Sequence, residues 1–228
     1  MSNPSVSTSS EAERTPGLSA HVLRLTAGLL SSERMPGGRL GPMGPWVTVV
    51  LPGSAYPALG AAIRLPVLAL EAAGAETAEI GYPNDPDDDR SSEAFHRGVA
   101  EQVRDATAGA RRVTFVAKSL GTMALATLDK SDVGAALVDA IWLTPLFGEP
   151  VVRAGAIDHG WRSLLVAGGA DRYHDASSHE AVRNALGARS LLLEGADHAL
   201  EVPGDPLATV DRLRQLTEAV VEFRRTPA

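Results

Sequence analysis

A serine stands between small residues where an apolar stretch ends, in the sequence AKSLG at positions 117–121. The residues before it, RVTFVA, predict a buried strand, and the residues after it, TMALATL, predict a helix. A sharp turn from strand to helix exposes the central hydroxyl in a strained conformation, as a nucleophilic serine requires. The alternative is that Ser119 only caps the helix that begins at Leu120.

Two later strand ends carry an acid and a base that could activate this hydroxyl. Asp171 ends the sequence GGAD after the apolar run SLLVA, and His198 ends the sequence GADH after SLLLE. An imidazole can accept the proton of a serine, and a carboxylate behind it fixes the tautomer and stabilises the cation. The alternatives are a turn-forming Asp171 and a solvent-exposed His198.

Three other carboxylates lie near these strand ends in the sequence. Asp175 is close to Asp171 in the chain, and Glu149 follows the preceding strand, so either could replace it. Asp197 is the direct neighbour of His198 and is badly placed to orient its ring. We therefore interpret Asp197 as structural.

A Gly-containing loop, PGSAY at positions 52–56, follows the first strongly apolar run, WVTVVL. A backbone N–H of this loop, together with the N–H of Leu120, would form an oxyanion hole for a tetrahedral intermediate. Ser54 is the first choice for the second donor and Ala55 the next. The alternative is that Pro-Gly is simply a turn.

Apolar runs alternate with helical stretches along most of the chain. Strands are expected at 46–51, 76–82, 112–117, 140–144, 163–167 and 190–194, and helices at 59–73, 91–108, 178–186 and 206–225. This alternation is typical of α/β proteins with a mainly parallel, doubly wound sheet flanked by helices. In such sheets the reactive groups gather at the carboxyl ends of the strands.

Composition limits the organisation and the partners. Residues 1–19 are polar and are expected to form a disordered tail, although 21–26 could add an edge strand; residues 20–228 are expected to form one domain. The chain has no Cys and a net charge of -7. It shows no basic stripe for nucleic acid, no signal peptide and no apolar run that could span a membrane, so we expect a cytoplasmic protein.

Neither a metal nor a cofactor is predicted. The acidic run at 85–89 lacks the Gly and distant Glu of a calcium loop and is interpreted as a solvated turn. The two histidines His174 and His179 are five positions apart and lack the i, i+4 spacing that puts two such ligands on one helical face, and we interpret His174, Asp175 and His179 as surface residues. The sequence does not set an oligomeric state.

The segments VTFVAKSLGTMAL, SLLVAGGADRYHD and LLLEGADHALEVPGD resemble the α/β-hydrolase superfamily. The likeness is greatest to its compact, nearly lidless branch of dienelactone-hydrolase-like proteins and small carboxylesterases. The resemblance implies a serine hydrolase that cleaves an ester, thioester or similar acyl bond of a small-molecule substrate. Two departures from the family pattern bear on the substrate class. In the strand-to-helix turn around Ser119 (the elbow), Ala117 and Lys118 stand where the family more often has Gly and a bulkier or neutral residue. In the loop after the first strand, Pro52 precedes Gly53 where the family often has His.

The segment in which this family carries a lid, about 145–162 here, is too short for a cap domain, so we expect a shallow, open site. Tyr56 and Lys118 are predicted to contact the substrate, although Lys118 could instead stay solvated. Trp142, Phe147 and Trp161 could line an acyl pocket or serve in packing.

Two groups of alternatives stay open. The same triad could catalyse acyl transfer, lactone opening or perhydrolysis, because the choice of acceptor depends on the shape of the pocket. The same fold could also serve as a non-catalytic ligand-binding protein.

Overall fold

The computed structural model describes residues 45–54, 56–82 and 92–225. In this part of the chain six strands form one sheet, in the order β2-β1-β3-β4-β5-β6, and every neighbouring pair is parallel. The strands are β1 Trp46–Leu51, β2 Glu76–Glu79, β3 Arg112–Lys118, β4 Leu137–Leu143, β5 Arg162–Gly168 and β6 Arg189–Leu193. The predicted tail at 1–19, edge strand at 21–26 and acidic turn at 85–89 lie outside the described residues.

Helices cover both faces of the sheet. They are α1 Ala61–Glu71, α2 Glu93–Thr107, α3 Leu120–Ala126, α4 Pro150–His159, α5 Ala176–Leu186 and α6 Pro206–Arg225. One hydrophobic core lies between the sheet and α1 with α6, and the other lies between the sheet and α2 to α5. The predicted doubly wound, parallel α/β sheet is therefore confirmed. None of the described helices combines the length and apolarity needed to cross a membrane.

Burial on both faces explains the composition of the central strands. In β3 every residue after Arg112 is buried, and in β4 the last five residues are buried. Strands covered on both faces read as continuous apolar runs because neither face meets water. These two strands could therefore be predicted from their uninterrupted apolar runs.

The strand order reverses beside β1, which lies between β2 and β3. The chain leaves β1 toward one edge of the sheet and later builds the rest on the other side of β1. Loops that leave neighbouring strands in opposite directions open a crevice at the carboxyl edge of the sheet. The loop that contains Ser54 follows β1 and the Ser119 elbow follows β3, so both border this crevice.

The segment between β4 and β5 is short. It contains α4 and its connections, and Gly160 ends α4 in the left-handed conformation with φ 60°. Residues 145–162 therefore hold one helix and no inserted cap, in line with the expected minimal lid.

An ionic clamp joins three strands at the opposite edge of the sheet. The carboxylate of Asp139 in β4 accepts from Arg112 of β3 at 2.6 and 3.0 Å and from Arg162 of β5 at 2.7 Å. The two guanidinium groups also lie over the rings of Trp46 and Phe223. Because the carboxylate is buried and fully bonded, this clamp fixes the starts of the strands.

His179 is buried, at 7% exposure, so the interpretation of it as a surface residue is wrong. It lies in α5, where its ring packs edge-on against Phe147 with centroids 5.8 Å apart, and Nε2 lies 2.8 Å from the hydroxyl of Ser190. Burial, with a smaller contribution from the neighbouring His174, lowers its pKa from the ordinary 6.5 to about 4.

The buried neutral ring of His179 predicts a loss of stability in acid. The unfolded chain binds the proton near pH 6.5 and the folded chain resists it, so stability falls as the pH drops from 6.5 toward 4. The full loss is about 3 kcal/mol. Urea unfolding at intervals across this range measures it. His179→Gln should flatten the decline, and an unchanged slope in that variant would contradict the assignment.

Candidate active site

The backbone at Ser119 has the strained conformation expected of an elbow, with φ 50° and ψ -113°. Such positive φ values are costly for residues with a side chain. Ser119 precedes α3, but its side chain makes no capping hydrogen bond. Its Oγ instead lies 2.8 Å from Nε2 of His198. The hydroxyl therefore faces the imidazole and does not serve the helix.

A close contact between α3 and β1 explains the small residue two positions after the serine. A Cβ on Gly121 would lie 1.9 Å from the carbonyl oxygen of Leu51, where no atom fits. Ala117, two positions before the serine, is fully buried in β3. The extra methyl group of Ala117 relative to glycine is accommodated in this core.

The imidazole of His198 connects the serine to an acid. Its Nδ1 lies 2.8 Å from Oδ2 of Asp171. The side chain of Asp171 is only 2% exposed and that of His198 is 28% exposed. The other oxygen of Asp171 accepts the N–H of Tyr173 at 2.9 Å, so this residue forms a turn as well. The structure thus brings together Ser119, His198 and Asp171 from three separate strand ends.

The other carboxylates lie elsewhere. Glu149 is exposed at the start of α4. Asp175 caps α5, where its carboxylate accepts the N–H of Ser178 at 2.8 Å. Asp197 accepts the N–H groups of Ala199 and Glu201 and so orders the loop that carries His198. This agrees with its interpretation as structural.

The two predicted oxyanion donors border the same cavity as Ser119. Leu120 is the first residue of α3, and N–H groups at a helix start have no acceptor within the helix. Ser54 lies in the loop after β1, where a Cβ on Gly53 would be 3.6 Å from that of Ser119. This loop therefore passes directly beside the hydroxyl. Ala55, the second choice, lies outside the described residues.

The cavity has a volume of about 740 Å³, a size that suits a small-molecule ligand. Tyr56 borders it, and its hydroxyl accepts the N–H of Ala62 at 3.0 Å. Its lining residues are Gly53, Ser54, Tyr56, Lys118, Ser119, Leu120, Leu146, Ala170, Arg172, Tyr173, Asp197, His198 and Ala199.

Lys118 is almost completely buried, at 1% exposure, so the alternative of a solvated Lys118 is wrong. Its ammonium donates to the backbone carbonyl of His198 at 2.6 Å and to Oγ1 of Thr144 at 3.1 Å. It borders the cavity, but both bonds are made to the protein itself.

The large aromatic residues serve in packing. Trp142 and Phe147 are each 1% exposed, and their rings contact one another in the core. Trp161 stacks between His159 and Phe115. None of the three rings borders the cavity at Ser119, so the alternative of an acyl pocket lined by them is wrong.

Sequence reasoning missed two residues, one against the imidazole of His198 and one bonded to Lys118. Tyr173 packs edge-on against the ring of His198, with centroids 4.9 Å apart, and Thr144 accepts from Lys118. Thr144 ends the apolar run AIWLT, so its position after a strand was an available signal. Tyr173 follows Asp171 by two positions and gave no signal of its own.

Within residues 45–54, 56–82 and 92–225, no group of three or more His, Asp and Glu residues is arranged to hold a metal ion. The rings of His174 and His179 do lie edge to face at 5.0 Å. His179 is buried beneath Phe147, however, and two rings alone do not complete a site.

Comparisons with solved structures find the same architecture. Est1E from Butyrivibrio proteoclasticus, with ferulic acid bound, is 14% identical, with 81% of this chain and 90% of that chain covered and a TM-score of 0.59. An α/β serine hydrolase homologue from Coxiella burnetii is 15% identical, with 78% and 84% covered and a TM-score of 0.55. A lidless α/β serine hydrolase from Xanthomonas campestris is 16% identical, with 82% and 84% covered and a TM-score of 0.54.

Sequence comparisons give no match. No protein-family profile matches the chain, and no curated protein matches it in sequence. At identities this low, the structural likeness concerns the fold.

Proposed function

We propose that this chain, which has the α/β-hydrolase fold, is a serine hydrolase that cleaves an ester, thioester or similar acyl bond of a small substrate. The observation that carries the proposal is the continuous contact from the hydroxyl of Ser119 through the ring of His198 to the carboxylate of Asp171. The architecture of the three compared hydrolases and esterases supports it.

The first half of the reaction forms an acyl-enzyme. Asp171 accepts the Nδ1–H of His198, which leaves the lone pair of Nε2 toward Ser119. The Oγ of Ser119 bonds to the acyl carbon while Nε2 takes its proton. The carbonyl π electrons move to oxygen, and the resulting oxyanion accepts from the N–H groups of Leu120 and Ser54. When the bond to the leaving group breaks, that group takes the proton from Nε2.

The second half releases the acid. Water attacks the acyl carbon and gives its proton to Nε2 of His198. The second tetrahedral intermediate collapses, the acyl bond to Ser119 breaks, and Oγ recovers the proton. Asp171 stays ionised throughout and stabilises the imidazolium that forms twice per turnover.

Size and access favour small acyl groups. The cavity of about 740 Å³ lies at the crevice, and the side chain of His198 is 28% exposed. The short α4 segment does not enclose a long chain. We therefore propose small esters or thioesters as substrates, with Tyr56 as part of the acyl-binding wall.

Labelling with a fluorophosphonate probe tests this proposal. We expect the folded protein to be labelled at Ser119, identified by mass spectrometry of the peptide, and to hydrolyse short 4-nitrophenyl esters. Protein unfolded in urea is the control and should not be labelled. Absence of labelling in the folded protein would overturn the proposal and favour a non-catalytic binding protein on the same fold.

A further inference from the structure

The side chain of Lys118 is a charged group buried beside the proposed nucleophile. It ends β3 directly before Ser119 and is 1% exposed, among the largest fully buried side chains of the described residues. Burial of an ammonium ion is costly unless nearby groups compensate the charge. A lysine in this place therefore calls for a physical reason.

Three neutral groups surround the ammonium. It donates to the carbonyl oxygen of His198 at 2.6 Å and to Oγ1 of Thr144 at 3.1 Å. It also lies 4.6 Å from the ring centroid of Tyr56, within the range of a cation–π contact. These contacts join the nucleophile strand to the His198 loop, to the end of β4 and to the loop after β1.

Charged neighbours hold the proton on this amine. The pKa of Lys118 falls from 10.5 to about 8, because burial lowers it by more than the negative charges of Asp171, Asp197 and Glu201 raise it. Because Asp171 and Asp197 belong to the two loops at the triad, the charge of Lys118 is attracted to the segments that hold the acid and the base.

The strained backbone of the described chain is gathered around this side chain. Its non-glycine residues with positive φ are Ser119 at 50°, Thr144 at 44° and Leu200 at 65°. Ser119 follows Lys118, Thr144 accepts from it, and Leu200 lies two residues after His198. Strained conformations persist only where surrounding contacts determine them. The bonds of Lys118 are such contacts.

We propose that Lys118 is a positioning residue, whose ammonium ties the His198 loop and Thr144 to the nucleophile strand and so keeps the imidazole in hydrogen-bonding distance of Ser119. The inference rests on the proposed function. It replaces the expected role of Lys118 in substrate contact, because both of its hydrogen bonds are made to the protein. Without these hydrogen bonds the imidazole can move away from Ser119, and misplacement of a reacting group by about 1 Å can lower the rate about 100-fold.

Lys118→Met tests the proposal, because methionine fills a similar volume without donating. We expect kcat to fall about 10- to 100-fold, because both charge-assisted hydrogen bonds of the ammonium are lost, with KM changed less than about twofold. Two substrates are compared: neutral 4-nitrophenyl acetate and the anionic mono-4-nitrophenyl ester of glutaric acid. A positioning role lowers kcat for both. A rise in KM confined to the anionic ester would show that Lys118 binds substrate and would overturn the proposal.

Thr144 provides a second, matched pair should Lys118→Met fail to fold. Thr144→Val removes the acceptor and keeps the shape, so it should lower kcat with KM unchanged, while Thr144→Ser keeps the hydroxyl and should retain kcat. Equal kcat in wild type, Thr144→Val and Thr144→Ser would contradict the positioning role of the Lys118–Thr144 hydrogen bond.

The absence of cysteine permits a chemical rescue. Lys118→Cys is alkylated in urea with 2-bromoethylamine, which adds an aminoethyl group to sulfur and restores an ammonium at lysine length. After refolding, we expect kcat and the rate of fluorophosphonate labelling to recover, relative to wild type carried through the same steps. Recovery by alkylation with iodoacetamide, which adds no cation, would overturn the proposal. If wild type itself is not labelled, the proposed function fails and the inference fails with it. If wild type is labelled and Lys118→Met equals it in kcat and labelling rate, the inference alone fails.

Discussion

Replacing Ser119 with alanine is expected to lower kcat for short esters by roughly 10⁵- to 10⁶-fold, because the group that forms the acyl-enzyme is gone. Labelling by a fluorophosphonate should also be lost in this variant, because the probe reacts with the Ser119 hydroxyl. The residual rate reflects binding and the oxyanion donors alone. Steady-state hydrolysis of 4-nitrophenyl acetate measures the change, and circular dichroism checks that the protein stays folded.

The same position should reveal the strain of the elbow. Ser119 has φ 50°, where alanine keeps the strain and glycine removes it. We therefore expect Ser119→Gly to be more stable than Ser119→Ala by about 1 kcal/mol. Both variants are inactive, so a difference in urea unfolding reports the backbone and not the chemistry. Turnover by Ser119→Ala above about one hundredth of wild type would refute the assigned nucleophile.

Replacing Gly121 with alanine is expected to destabilise the protein by about 3 kcal/mol or more. The added Cβ would lie 1.9 Å from the oxygen of Leu51 and 2.9 Å from that of Pro52. Both are backbone atoms, which cannot rotate away, so α3 must shift against β1. Because Ser119 and Leu120 begin that helix, probe labelling should fall as well. Urea unfolding and labelling rate are measured on the same sample.

Gly98 provides the matched control, since it also lies inside a helix. A Cβ at Gly98 in α2 would meet no other atom of the described residues within 4 Å. Gly98→Ala should therefore raise stability by about 0.5–1 kcal/mol, because alanine is the better helix former. Equal effects of the two substitutions would mean that α3 does not depend on the close approach to β1.

The sequence predicted the fold well because the strands are buried on both faces. Runs such as RVTFVA and SLLVA show no alternation and stand out from the helices. Strand limits were less accurate: the strand expected over 76–82 ends at Glu79, although Ile80 just beyond it is fully buried and donates its N–H to the carbonyl of Val50 at 3.0 Å. No helix was named within 145–162, where α4 lies, because its apolar period is weak; the proline at its first position is instead typical of a helix start.

The meeting of Ser119, His198 and Asp171 could be predicted because parallel strands bring their carboxyl ends together. The burial of individual polar side chains could not be predicted in the same way. Lys118 and His179 are polar types usually found at the surface, and only the packing of β3 and α5 shows that they are buried. The role of Thr144 likewise depends on its distance from Lys118, which lies 26 positions earlier in the chain.

The Asp139 clamp and the candidate catalytic residues occupy opposite edges of one sheet. From Asp139 to Thr144 the chain rises about 16 Å, at roughly 3.3 Å per residue. One edge thus anchors the scaffold while the other carries exchangeable loops. Mutant libraries confined to the Ser54 and Tyr173 loops should therefore change selectivity with little loss of thermal stability. Substitutions at Arg112 or Arg162 should instead give mostly misfolded variants.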